Sequence, residues 1–582
     1  MSLLHEIASV RQNAGIWMRH DYTVLRFTGA DAASWLHNQT TNDVVGLASG
    51  TGNRQALVNR QGRLQCVFDL LRFDDEYWAV IEATQAPALL ERHESHRFLE
   101  DVTIEDVGAG HGQIMLEGPR AALFLLTLLD PVPNLGDAPL PSAPFHFAPL
   151  RLCERDVLAL RLTETGEDGF LLLAAPGDEE ALYEDLASEG VMLGVSEVSD
   201  PARNTLRVES GLPKYGTEWS ISTVIAETPF ERDAVSYDKG CYLGQEVVTR
   251  LKTYGTPKEA LAGLLIEGDS PAIPDPGAEL FIDGARMGRM CSFSYSPTLS
   301  GWIARAYLDR NHRTEGDTLD LADATGRYAF RATVKHLPLI DQPSRDEYAA
   351  RLYHDALAHF DQDPDDQDDS AIHLLEDAIR LSPAFEDAYE VLGVVLHRHH
   401  RVDEAIRIMK QLAAMNPNCV MAHTNLSVFY VAKGMIQEAE EEKALAGQLE
   451  FKLQLDAKQA AKQAEAERRH IRQEAEERID LFKEVLDIDP EDPIATMGIG
   501  SAYMQLEQYA EAIPHLETAA RVQKDYSAAF LNLGKCHEFS GNAADATQAY
   551  RDGIAAAGRK GDLMPMREME RRLKALESAL PG

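Results

Sequence analysis

At 582 residues the chain exceeds the roughly 250 to 300 residues that one hydrophobic core supports, so more than one domain is expected. Its 94 acidic and 56 basic residues give a net charge of -38, which argues against non-specific nucleic-acid binding and against direct tRNA or DNA contact. Six cysteines, at 66, 153, 241, 291, 419 and 536, form no Cys-x-x-Cys and no close Cys/His pairing, so neither a disulfide framework nor a metal ligand set is evident.

The chain begins Met1-Ser2-Leu3-Leu4-His5-Glu6-Ile7, without a basic region leading into an apolar core, and no run of about 18 apolar residues follows. A soluble, cytoplasmic protein with reduced thiols and no membrane partner is expected. Residues 22–27, 76–81 and 157–162 read as strands and 30–36 as an amphipathic helix, with Gly and Pro punctuating between them. This is an α+β pattern. Further strand-like runs occupy 260–266, 284–294, 303–308 and 331–334. The motifs G-x-G-x-x-G, G-x-x-x-x-G-K-[ST] and G-x-S-x-G do not occur, so nucleotide hydrolysis and serine-hydrolase chemistry lack support.

The densest chemistry lies in Lys239-Gly240-Cys241-Tyr242-Leu243-Gly244-Gln245-Glu246. Glycine permits a tight turn or close approach to a ligand, and a neighbouring cation such as Lys239 favours the thiolate of Cys241. The competing reading of Cys241 is a small buried residue on a turn. The octapeptide matches K-G-C-Y-x-G-Q-E and so resembles the YgfZ family, folate-binding relatives of the glycine-cleavage T-protein. Gly29-Ala30-Asp31-Ala32, Thr41-Asn42-Asp43-Val44, Gly62-Arg63 and Ser296-Pro297-Thr298-Leu299 resemble other segments of that family.

Arg203-Asn204-Thr205-Leu206-Arg207-Val208-Glu209-Ser210-Gly211 resembles its R-x-x-L-R-x-E-x-G, and the resemblance implies that Glu209 holds the pterin ring of tetrahydrofolate. A carboxylate suits that task, because it accepts adjacent ring N-H and amino donors in a bidentate bond. The alternative for Glu209 is a salt bridge with Arg203 or Arg207. Tyr215 and Tyr242 are candidates to cover the pterin face or to fill the core, and Gln245 and Glu246 to orient a ligand or the following helix. By the same resemblance Cys241 and Lys239 form the reactive pair. Where T-proteins carry an acidic pair the chain has Cys66-Val67, and where they carry Asn-Ala it has Glu82-Ala83. Asp69 shares the strand face of Val67, but its use as a shifted acid is not favoured.

Residues 361–370, Asp-Gln-Asp-Pro-Asp-Asp-Gln-Asp-Asp-Ser, are too polar to bury a core and read as a linker or exposed loop. Beyond them the strands stop and a 34-residue period appears, in Pro383 and Pro417, Leu392 and Leu426, Ala405 and Ala439, Gly500 and Gly534, and Ala512 and Ala546. The period resembles tetratricopeptide repeats, with Gly393 and Gly534 where paired helices pack closely.

The expected organisation is a T-protein/YgfZ-like folate-binding α+β region at 1–257, its C-terminal β-barrel at 258–340, an acidic linker at 341–370, and tetratricopeptide repeats at 371–582. A long charged helix or helical hairpin near 438–484 interrupts the repeats. The resemblance implies a tetrahydrofolate-binding protein, using folate or a one-carbon derivative, that serves iron-sulfur cluster assembly or repair and docks client or assembly proteins through its repeats. The alternatives are an aminomethyltransferase-like one-carbon transferase and a non-enzymatic scaffold with a vestigial folate site.

Overall fold

The strands expected at 22–27, 76–81 and 157–162 form at Tyr22–Thr28, Tyr77–Glu82 and Arg155–Arg161, and the stretch at 30–36 forms the helix Ala32–Gln39. The computed structural model describes residues 2–269, 271–362 and 369–579. A six-stranded sheet runs in the order Val195–Glu197, Ala14–Met18, Gln113–Glu117, Gly169–Ala174, Arg155–Arg161, Phe147–Leu152; its first pair is parallel and the rest antiparallel. An antiparallel five-stranded sheet runs Thr51–Val58, Leu64–Arg72, Tyr77–Glu82, Tyr22–Thr28, Thr103–Asp106.

Strand alternation sends neighbouring residues of the six-stranded sheet into different cores. Trp17, Met115, Leu171 and Leu173 meet Val24, Leu71 and Val80 of the five-stranded sheet and Ala202 and Leu206 of the helix Asp200–Ser210. Ile16, Ile114, Leu116, Phe170 and Leu172 face the other way, onto the helix Ala121–Leu128. The later strands close a six-stranded barrel from Glu259–Ile266 to Ala329–Lys335, and the turn after Ser296 joins its two longest strands.

The boundary expected near 341–370 lies elsewhere. Residues 345 to 362 form the helix Arg345–Gln362, whose Tyr348, Ala349, Leu352, Tyr353 and Ala356 recur at helical spacing and join the core beneath Ala121–Leu128. Of the acidic stretch 361–370, residues 363–368 lie outside the described residues. The same core takes in Leu375 and Ile379 of Ser370–Leu381, Leu392 of Glu386–Arg398, Met409 of Val402–Met415 and Leu426 of Val420–Ala432. The chain divides instead into the units Met1–Glu442 and Lys443–Gly582, so the first repeats belong to the same compact body as the two sheets.

The later repeats pair Pro493–Gln505 with Tyr509–Val522 and Ser527–Phe539 with Ala543–Lys560. Close helix contact at the repeat glycines is as expected: a Cβ on Gly393 would lie 2.5 Å from Met409, and one on Gly534 2.3 Å from Tyr550. The stretch at 438–484 forms one helix, Ile436–Ile488, of 53 residues. None of the described helices is long and apolar enough to cross a membrane.

Candidate functional site

One cavity of the first unit gathers charged side chains from the five-stranded sheet, from the segments that follow the strands Ala14–Met18 and Arg155–Arg161, from the helix Asp200–Ser210 and from the loop after it. Arg54 and Asp69 are cross-strand partners, and so are Tyr22 and Glu82. Val67 and Asp69 alternate onto the same face of Leu64–Arg72, and both line the cavity. The Asp69 carboxylate accepts from Arg54 Nε at 2.8 Å and Nη2 at 3.2 Å and is 6% exposed. Burial opposes the charge on Arg54, and Asp69 more than offsets it, so the guanidinium pKa is raised. Glu82 accepts from Thr84 Oγ1 at 2.7 Å and Gln85 Nε2 at 2.9 Å.

Arg19 is 4% exposed, its Nε 3.1 Å from Glu164, and its guanidinium carbon 3.3 Å from the centre of the Tyr22 ring. Its Nη1 has no hydrogen-bond partner. A buried, unpartnered donor on a cavity wall is costly unless a ligand satisfies it. Burial also pushes the Tyr22 phenol up to about 12. Tyr215 and Trp219 form an aromatic wall, with ring centres 4.9 Å apart. Arg207, which also lines the cavity, binds Glu218 through both terminal nitrogens, at 2.9 and 3.2 Å, tying the helix to the loop.

Of the residues expected at the site, Tyr215 faces this cavity. Glu209 does not. It is fully buried, with its carboxylate bound by Arg11 and by Ser296 Oγ at 2.5 Å. A helix turns about 100° per residue, so Arg203 and Arg207 share the cavity face while Glu209, two residues on, points behind it. Its ion pair is therefore with Arg11 rather than with Arg203 or Arg207.

Lys239 gives its ammonium hydrogens to the carbonyls of His37, Thr40 and Asn42, the last two at 2.7 and 2.9 Å. None is left for the thiol of Cys241. Burial pulls the Lys239 pKa down to about 8. Lys239→Met should lower stability by about 3 kcal/mol, because three partly buried carbonyls lose a charged donor. A urea-unfolding midpoint equal to that of the wild type would refute this clamp.

Gly244 adopts φ 88°, and a Cβ there would lie 2.3 Å from Asn59 O, so the turn before the helix Gln245–Tyr254 requires glycine. Gln245 and Glu246 open that helix and line a shallow surface depression away from the cavity. Tyr242 is buried beside Trp219 and Phe230, behind the aromatic wall. Cys241 is exposed, whereas the other five thiols are buried or half-buried. Burial pushes Cys66 up to about 12 and Cys291 and Cys536 to about 11. A brief iodoacetamide pulse at neutral pH should therefore label Cys241 first, and mass-spectrometric mapping to Cys66 or Cys291 instead would contradict the exposure order.

The family model described as the GCVT N-terminal domain matches residues 2–239, and the glycine cleavage T-protein C-terminal barrel domain matches 260–341. The aminomethyltransferase of Halalkalibacterium halodurans is 32% identical over 321 residues, covering 54% of this chain and 84% of that protein. The chain belongs to the aminomethyltransferase family. The aminomethyltransferase of Lysinibacillus sphaericus is 30% identical over 326 residues, covering 55% of this chain and 85% of that one. The glycine cleavage system aminomethyltransferase T of Bartonella henselae shares the fold, with a TM-score of 0.51 at 22% identity, over 59% of this chain and 90% of the other. Tetratricopeptide repeats match at 369–417 and 497–560.

These relatives favour the aminomethyltransferase alternative over the YgfZ-type iron-sulfur reading. As a member of the aminomethyltransferase family the chain has the T-protein-type N-terminal and barrel domains. The family's acidic pair is absent at Cys66-Val67, yet a carboxylate occupies the same cavity one pleat further on, at Asp69. Sequence reasoning missed Arg19, Arg54 and Glu164. The readable signal was Arg19, a cation closing the apolar run Ile16-Trp17-Met18.

Proposed function

We propose that this cavity binds a reduced folate and that the protein is a folate-dependent one-carbon transferase of the aminomethyltransferase kind, with repeats that dock a protein partner. The observation carrying this reading is the convergence of Asp69, Glu82 and Arg19, whose Nη1 has no hydrogen-bond partner, with the Tyr215–Trp219 wall. A pterin edge presents ring N-H and amino donors beside a carbonyl acceptor, so a carboxylate and a guanidinium N-H complement it. Glu82 and Arg19 supply both, and the cavity fits the group in kind.

Bound tetrahydrofolate would supply the ring nitrogens that take up a one-carbon unit. Glu82, steadied by Thr84 and Gln85, holds the pterin donors. Asp69 takes up or returns a proton at the reacting end, its carboxylate oriented by Arg54. Val67 and the aromatic wall limit water there.

Calorimetric titration with tetrahydrofolate tests the reading, with transfer from an aminomethylated lipoyl carrier protein as the second readout. Glu82→Ala should weaken binding about tenfold or more, since a charge-assisted contact contributes about 1.5 to 3 kcal/mol. Absence of binding by the wild-type protein would remove the proposal. A second reading, iron-sulfur cluster maintenance, draws on the exposure of Cys241. It requires Cys241→Ser to lower cellular iron-sulfur enzyme activity while folate binding is kept.

A further inference from the structure

The helices Glu386–Arg398 and Val420–Ala432 stand one 34-residue period apart and pack on each other, with the His397 ring stacked on Phe429 at 4.6 Å between centres. Residues 34 apart therefore occupy matching places on the repeat surface, so Asp387, Glu390 and Val394 align with Met421, Thr424 and Val428. One face of Val420–Ala432 is filled by Ala422, Leu426, Phe429 and Tyr430 and enters the core. Met421, Val428 and Val431 recur at helical spacing on the other face and are 44, 50 and 56% exposed.

Apolar side chains gathered in one open row mark a docking face more than singly scattered ones do. Val420–Ala432 has no acidic, lysine or arginine residue, so the row itself is uncharged. The neighbouring helix brings charge to one end of it. Asp387 is exposed and Glu390 half-buried, and neither forms an ion pair among the described residues. Burial and the like charge of Asp387 push the Glu390 carboxyl up. Glu386 beside them is held by Asn416 Nδ2 at 2.8 Å, and Arg398, the one arginine of that helix, sits over the Phe360 ring, 4.5 Å from its centre.

We infer that this face binds an amphipathic helix of a partner protein, whose apolar side chains lie along the row and whose lysine or arginine meets Asp387 and Glu390; this deepens the docking reading above and rests on it. The row from Met421 to Val431 is about 15 Å long, which matches roughly three turns of a bound helix. Apolar anchors at i, i+3 or i+4 and i+7 on such a helix meet it. A cation relieves two like charges one turn apart, whereas an acidic segment is repelled by them.

The probe is a phage-displayed library of short amphipathic helical peptides selected on the full-length protein, with the affinities of enriched peptides read by fluorescence polarisation. Enriched sequences should carry lysine or arginine near one end of an apolar stripe. Val428→Glu should weaken them about tenfold or more. The double variant Asp387→Lys/Glu390→Lys should weaken them about tenfold at low salt, and should bind more tightly than wild type the same peptides with glutamate in place of the cation. An unchanged near-ultraviolet dichroism spectrum shows that the variants are folded. Enriched peptides that are acidic, or that bind the double variant as well as wild type, would overturn the partner class while leaving the docking reading standing. Failure to enrich any peptide whose binding depends on Val428 would overturn both.

Discussion

Asp69→Asn is expected to lower one-carbon transfer by about 10² to 10³-fold while tetrahydrofolate affinity changes only a few-fold. Positioned proton transfer typically contributes about 10² to 10⁴ in rate, and asparagine keeps the shape of the side chain without its basicity. Val67, where T-proteins carry an acid, offers no exchangeable proton, so Asp69 is the carboxylate on that strand face of the cavity. Arg54→Met serves as the control, because it removes the same ion pair and leaves the carboxylate in place. Were Asp69→Asn to turn over like wild type, or Arg54→Met to fall as far, Asp69 would be a structural partner of Arg54 and no more.

Ending the chain at residue 344 is expected to give an insoluble product, whereas residues 1–442 should fold. The helix Ala121–Leu128 is buried on nearly every side, between the six-stranded sheet and the helices that follow residue 345. Removing those helices bares several large apolar side chains, each worth about 1.5 to 3 kcal/mol when buried. Four or five such losses equal the entire net stability of a typical domain, about 5 to 15 kcal/mol. Size-exclusion chromatography of both products decides. A monodisperse 1–344 protein that melts cooperatively would show that the first repeats are an appendage after all.

The sequence carries the fold far better than the site. Strand alternation at 22–27 and 157–162 and the 34-residue period each repeat over many residues, so the signal accumulates. Glu209 and Asp69 differ from this because each depends on one direction. Two residues along a helix separate Glu209 from Arg207 and turn it out of the cavity, whereas two residues along a strand leave Asp69 on the face of Val67. Lys239 shows the same limit: adjacency to Cys241 in the chain does not fix where its ammonium goes, and the carbonyls that claim it come from residues 37–42. The helix at 345–362 is legible in its apolar spacing, whereas the acidic composition of 361–370, which overlaps its last two residues, reads as a linker.

The helix Ile436–Ile488 has a thermal consequence. Its described side chains between 450 and 474 are exposed, so tertiary burial does not hold that stretch. Pairs one turn apart, such as Arg469 with Glu465 and Arg472 with Glu476, are each worth only about 0.2 to 0.5 kcal/mol and weaken with salt. An unsupported helix of this kind frays by degrees rather than all at once. Warming the protein therefore erodes helical ellipticity over a broad range before either core opens, and the midpoint of a far-ultraviolet melting curve does not measure the stability of the cavity-bearing unit.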